Sequence, residues 1–306
     1  MNKWSSLYIL IVLILALASS ALINKNYICT LPGADAQIKI DTVFDASGIL
    51  DYYRAHISTP ICEADKCYAV DIIFYWDLIG RFLKYDTIPG AGLTKLDHQP
   101  FQQQDYIKLK EILRDDHSIL ASYDKEELVR DHRRSEIDGF TGATINEIKE
   151  NVIEGAVYSC YTLWHIAHGP TAEILQKSTK DMFNQGLVRK LVNMEDQAIN
   201  YFLIDQFSSL DFMKYKSEIL ITLSDRQGYY IKNAIEKMPS AFVADSIAQS
   251  YFASHFDQLN YFSQVALLEK LTKVELSAQL LDTLRNQSDD RSSYRNELLK
   301  QLLMNE

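Results

Sequence analysis

Cysteine, proline and glycine are all scarce in this chain of 306 residues. Four cysteines, six prolines and eleven glycines are too few for a disulfide-stapled scaffold or for an all-β fold with a tight turn every ten residues. No Cys-x-x-Cys pair and no Cys-x-x-Cys-His haem site occurs. Neither a Gly-x-Ser-x-Gly nucleophile elbow nor a Walker phosphate loop is present, which argues against the zinc, haem, hydrolase and nucleotide-hydrolysing classes those motifs mark. An excess of positive charge is missing too. With 31 Lys and Arg against 41 Asp and Glu, the net charge is −10, and a nucleic-acid partner would be repelled by the field of the whole molecule.

Apolar residues, by contrast, are plentiful. At 47% hydrophobic content the chain can build a core for each of two ordinary domains. Lys3, the apolar run Leu7 to Leu17 and the small residues Ala18-Ser19-Ser20-Ala21 have the three-part pattern of a secretory signal with cleavage after Ala21; the alternative is an uncleaved anchor. No cysteine follows the run, so no lipoprotein signal is read. The expectation is an exported protein, periplasmic or envelope-associated, with residues 1–21 as signal or membrane tether. In an oxidising compartment Cys62 and Cys67 would close a small loop by a disulfide, with two free thiols or a metal site as the other readings.

The pattern along the chain divides it into an α+β domain over 22–172, with an antiparallel sheet, and an all-helical domain over 173–306. In the first, Ala36 to Phe44 reads as a strand, Asp45-Ala46-Ser47-Gly48 as a turn and Leu50 to His56 as a short helix. Lys66 to Tyr85 reads as two antiparallel strands divided at Gly80, and Gln104 to Leu113 as an amphipathic helix. Asp115 to Ile137 is charged and is expected at the surface, and a single helix from Ile145 to about His168 stops at Gly169-Pro170. The second half shows helical periodicity throughout, with eight cores beginning at Asp181, Asp196, Tyr215, Tyr229, Val243, Phe262, Ser277 and Tyr294. Ala198-Ile199, Ala234-Ile235 and Ala266-Leu267 recur at 36 and 32 residues, the spacing of a HEAT-like array, against a plain helical bundle.

Chemistry concentrates in Asp138-Gly139-Phe140-Thr141-Gly142-Ala143-Thr144. Small residues ahead of a helix let its N-terminal amides approach an anion, and Thr144 stands where a phosphate would meet the positive end of the helix dipole. The same residues satisfy a second reading: Thr144-Ile145-Asn146-Glu147 is a capping-box pattern. Spacing leaves both open.

The heptapeptide resembles the Asp-Gly-x-Ser/Thr-Gly-Ala-Thr signature of the covalent FMN-binding domain family, which includes subunits of the sodium-translocating quinone reductase and of the Rnf electron-transport complex. The resemblance covers about Ala36 to Pro170. It implies FMN joined through a phosphoester to Thr144 by a flavin transferase, with Asp138, Gly139, Thr141, Gly142 and Ala143 as recognition residues. Phe140 and Ile145-Asn146 depart from the family's more usual aliphatic and small hydroxyl residues at those positions, which leaves open a domain that keeps the fold without the flavin. The implied role is envelope electron transfer, with the helical domain docking a redox or assembly protein. The alternative is a flavin-free interaction scaffold.

Outside the motif, Thr94, Lys95, Asp97 and His98 form a loop between a strand pair and a helix, where Lys95 and His98 would stabilise a reduced, anionic flavin; the alternative is that Asp97 caps a turn and His98 precedes Pro100 in an extended segment. Tyr158, Tyr161, Trp164, His165 and His168 share neighbouring helix faces and are read first as core, with no metal assigned to the histidine pair. His56, His117, His132 and His255 are read as isolated surface residues.

Overall fold

A computed structural model describes residues 27–30, 37–59, 69–95, 98–124, 128, 148–225, 228–287 and 293–304. The signal or anchor segment 1–21, the Cys62/Cys67 pair, Asp97, His132 and the whole motif from Asp138 to Thr144 lie outside the described residues. The chain forms two compact units, Met1–Asp181 and Met182–Glu306. The change from sheet-containing to all-helical structure has the expected α+β then all-α layout. Its position in sequence is Asp181, nine residues beyond 172.

The sheet of the first unit is a five-stranded antiparallel meander in the order β1 (Tyr27–Thr30), β2 (Gln37–Phe44), β3 (Leu50–Thr59), β4 (Val70–Trp76) and β5 (Phe82–Thr87). Asp45 closes the β2–β3 turn, its Oδ1 accepting from the N–H groups of Ser47 and Ile49 while Gly48 takes φ 73°. The expected helix from Leu50 to His56 is instead the first part of β3. The cause lies across the ladder: Phe44 pairs with Leu50 and Val43 with Tyr52, so β3 carries one extra residue, a bulge. Leu50 and Tyr53 are therefore both buried at a spacing of three, and only from Tyr53 through Ala55, Ile57 and Thr59 does burial alternate strictly.

Ile40, Tyr53, Ala55, Ile72, Phe74 and Trp76 give the sheet one fully buried face. The other face carries Asp41, Arg54, Tyr75 and Lys84 in one cross-strand row. Lys84 lies 4.4 Å over the Tyr75 ring and 2.9 Å from Asp86, and His56 pairs with Asp71. Three helices accompany the buried face: α1 (Gln103–Arg114), α2 (Val157–His168) and α3 (Pro170–Asp181). Helix α2 buries Ser159, Cys160, Tyr161, Leu163, Trp164, Ile166 and Ala167, nearly all round, as expected of a helix packed between the sheet and both other helices. The helix expected to run unbroken from Ile145 is interrupted. Residues 148–151 are helical, the chain turns at Glu154-Gly155 with Gly155 at φ 74°, and α2 starts at Val157.

Helix α3 was not distinguished in the sequence. Its buried residues Thr171, Leu175, Ser178 and Thr179 form one face, and hydrogen bonds fix it there. Thr179 donates to Leu78 O at 2.6 Å, its hydroxyl lies 2.7 Å from that of Tyr53, and Gln176 donates to Ile79 O. In the same region Trp76 Nε1 donates to Ala167 O at 2.9 Å.

The second unit is built of four helical hairpins, α4 (Gln185–Asn193) with α5 (Gln197–Gln206), α7 (Lys216–Asp225) with α8 (Tyr229–Lys237), α10 (Ser246–His255) with α11 (Tyr261–Leu271), and α12 (Ala278–Asn286) with α13 (Tyr294–Met304). Short helices α6 (Ser209–Lys214) and α9 (Ser240–Val243) fill the first two connections. The second helices begin at 197, 229, 261 and 294, and each packs on the next. First helices stack likewise. Residues 32 apart join neighbouring hairpins: Asp205 with Lys237, Gly228 O with Asn260, Met238 O with Lys270. Caps mark the starts, with Asn184, Asp196, Asp245, Asn260 and Ser277 each accepting from an amide of the first turn. The recurrence seen in sequence holds for Ala234 and Ala266. Ala198 is one helical turn out of step, since the buried residue one period before Ala234 is Phe202.

Gly80 and Gly48 separate backbone conformation from packing. Both have positive φ, yet a Cβ at Gly48 meets nothing within 4 Å whereas one at Gly80 falls 2.7 Å from Ala172 O at the start of α3. Gly48→Ala should cost about 1 kcal/mol and Gly80→Ala about 3 kcal/mol. Urea unfolding of the two variants checks this; equal losses would mean that α3 does not pack against the β4–β5 turn.

Candidate functional site

Described residues flank the motif in sequence on both sides. Downstream, Ile148, Val152, Ile153 and Ala156 are buried. Ile153 N–H points at Cys160 Sγ, 3.4 Å away, and Lys108 reaches Lys149 O at 3.5 Å. Burial pushes the Cys160 thiol up to about 12, so it stays protonated at neutral pH and is a packing residue rather than a nucleophile.

Upstream, the chain leaving α1 is pinned by one stretch of α2. Trp164 Nε1 donates to Asp115 O at 2.7 Å, His165 Nε2 stands 3.2 Å from Leu120 O, and His168 Nε2 stands 2.8 Å from Leu113 O. Carbonyl oxygens only accept, so each imidazole must carry its proton on Nε2. A 3-10 turn, Ile119–Ser122, follows, with Leu120 buried and Ser118 Oγ accepting from Leu120 N–H. The charged stretch expected at the surface is therefore anchored at least as far as this turn.

Rings surround the same three side chains. Trp164 lies 5.0 Å from both His165 and His168, Tyr161 lies 4.2 Å from His165, and Phe82 of β5 lies 6.3 Å from His168. Tyr161 and Trp164 are buried in the core, as their spacing suggested, and His165 and His168 are half-buried beside them. Their further task of capturing main-chain carbonyls was not foreseen, because the acceptors belong to the backbone and leave no mark in residue type. Among the described residues no group of three His, Cys, Asp or Glu is placed to hold a metal ion. No described helix is long and apolar enough to cross a membrane.

Around Lys95 and His98, Thr94 bridges Pro100, and Lys95 N–H donates to Gln99 O at 2.7 Å. His98 is exposed, with φ 59°. Lys95 is partly buried and reaches Asp105 Oδ1 at 2.7 Å, while the other oxygen of Asp105 accepts from Gln102 N–H at the start of α1. Burial pushes the Asp105 carboxyl upward, but Lys95 and the Gln102 amide outweigh it and hold the group below the usual carboxylate range. The charge of Lys95 is thus already met inside the unit.

The histidines read as isolated are not all so. His56 faces Asp71 across the ladder, His117 lies 2.6 Å from Asp116, and His255 stacks on Tyr251 at 4.1 Å.

Searches against protein-family profiles, curated proteins and solved structures found no match.

Desolvation holds both His165 and His168 below their ordinary value of 6.5, overcoming the carbonyl that each meets. As pH falls below about 6.5 the unfolded chain therefore takes up protons before the folded one does, and stability is lost. Urea midpoints measured from about pH 7.5 to about pH 5.5 should fall more steeply for the wild type than for a His165→Gln, His168→Gln double variant. Parallel profiles would remove these histidines from the acid response.

Proposed function

We propose that the chain is an exported flavoprotein of the bacterial envelope. It carries FMN as a phosphoester on Thr144 and passes electrons between protein partners. The observation that carries the reading is the heptapeptide Asp138 to Thr144, with its resemblance to the covalent FMN-binding signature. An α+β unit with an antiparallel sheet accommodates that reading, and the helical turn at 148–151 begins soon after Thr144. Asp138, Gly139, Thr141, Gly142 and Ala143 would be read by a flavin transferase. The flavin supplies the redox chemistry, and the protein supplies attachment and surroundings. A covalent link outside the cytoplasm prevents dilution of the cofactor and fixes its local concentration.

In this reading Lys95 and His98 stabilise the anionic reduced flavin, Lys95 while also paired with Asp105 and His98 from an exposed position. The second unit serves in this reading as a HEAT-like array whose stacked hairpins dock the redox or assembly partner.

A second reading is favoured by the same ion pair and by the 32-residue recurrence. In it the first unit has lost its flavin, Thr144 is a helix cap, and both units serve protein interaction.

Protein exported from a host that also expresses a flavin transferase separates the two. The expected outcome is a fluorescent band on a denaturing gel and an intact mass raised by the FMN group. Both should be lost in Thr144→Ala, whose stability falls by only the value of a cap, about 1 kcal/mol. A dark band at unmodified mass supports the scaffold, and flavin that survives Thr144→Ala moves the attachment elsewhere.

A further inference from the structure

The second unit buries an acidic side chain that its own hydrogen bonds do not fully satisfy. Glu218, in the first turn of α7, is 3% exposed. Its Oε1 accepts from Gln185 Nε2 at 2.5 Å and from Arg189 at 3.4 Å, both on α4. Its Oε2 is buried with no partner among the described residues.

The carboxylate borders a small cavity between the first two hairpins. Apolar side chains such as Val188 of α4, Leu203 of α5 and Ile219 of α7 complete its wall, with Thr222 of α7 and Tyr230 of α8. Its free space admits one body the size of a water molecule. Two polar groups serve it. Thr222 lies one helical turn after Glu218, on the same face of α7; its hydroxyl donates to Ile219 O at 2.7 Å and accepts from the Tyr230 hydroxyl at 3.0 Å. A hydroxyl oxygen has two lone pairs, so one acceptor position remains on Thr222, which lines the same cavity as Glu218.

An empty apolar cavity is ordinary, and so is a buried carboxylate with every lone pair used. An unpartnered carboxylate oxygen on the wall of a water-sized space is neither, because leaving it desolvated costs more than holding a donor there. We propose that this cavity is a binding site for one small hydrogen-bond donor, water or ammonium, held by Glu218 Oε2 and Thr222 Oγ1. The guest completes the polar joint between α4 and α7. The other donors that reach Glu218, on Gln185 and Arg189, are directed to Oε1, so the site takes neither an anion nor a group bulkier than a water molecule.

High-resolution crystal structures of the full chain, grown with and without ammonium, test the site. The expected result is a single density peak about 2.8 Å from Glu218 Oε2 and within hydrogen-bond reach of Thr222 Oγ1. A cavity empty in both would overturn the proposal, and so would Gln185 or Arg189 swung across to satisfy Oε2. The isosteric Glu218→Gln variant identifies the guest. Its amide oxygen stays with the α4 donors, which turns the amide NH2 towards the cavity. A guest must then accept a hydrogen bond, so water remains in Glu218→Gln whereas ammonium is lost. With 15N-labelled ammonium in solution, a protected bound-ammonium signal in the wild type that disappears in Glu218→Gln assigns the cation. Its absence, with the density peak present in both proteins, assigns water.

Discussion

The hydroxyl groups of Tyr53 and Thr179 set the first unit in order. They meet 2.7 Å apart in the core, and Thr179 spends its proton on Leu78 O. Tyr53 belongs to the central strand, Leu78 to the β4–β5 turn and Thr179 to the last turn of α3. One contact therefore fixes the position of a helix along two parts of the sheet. Hydrophobic burial alone would let α3 slide by a fraction of a turn at small cost, since it is not directional. A buried hydroxyl left unmatched is costly, and this removes the freedom. Trp76 does the same for α2 through Ala167 O. Covering the buried face in this way leaves the opposite face to cross-strand pairs such as His56 with Asp71 and Lys84 with Tyr75, whose partners are all within the sheet.

The three carbonyl contacts of α2 depend on that placement. Once Ala167 is held on Trp76, the residues on either side of it, Trp164, His165 and His168, face the chain that leaves α1. The described chain ahead of the motif in sequence includes an anchored turn at Ile119–Ser122, and the described chain after it includes buried Ile148 and Val152.

Periodicity made the second unit legible almost helix by helix. Helical periodicity, Asp, Asn and Ser at the helix starts and few glycines all point the same way there. Only the short helices α6 and α9 went unseen, being too brief to show a period. The first unit was harder to read where local backbone departures imitate another pattern. At Leu50 and Tyr53 the bulge opposite Val43 and Phe44 produces the three-residue spacing of a helix inside a strand. At Gly155 a single left-handed residue ends what the apolar pattern reads as one continuous helix. Lys95 illustrates the limit at the site. A lysine in a loop reads as an available cation, and nothing in the neighbouring residues shows that Asp105, committed at the start of α1, has already claimed it. Main-chain acceptors such as Leu113 O and Asp115 O are invisible to residue patterns altogether.

The 32-residue step between second helices has a consequence for how this half of the molecule can change. Asp205 reaches Lys237 at the first junction, and Gly228 reaches Asn260 and Met238 reaches Lys270 at the second, so these two junctions share one 32-residue period. Length can then vary in whole hairpins, by internal duplication or loss, with every surviving junction intact. A change of three or four residues within a hairpin has no such tolerance, for it rotates all later side chains out of their partners' reach.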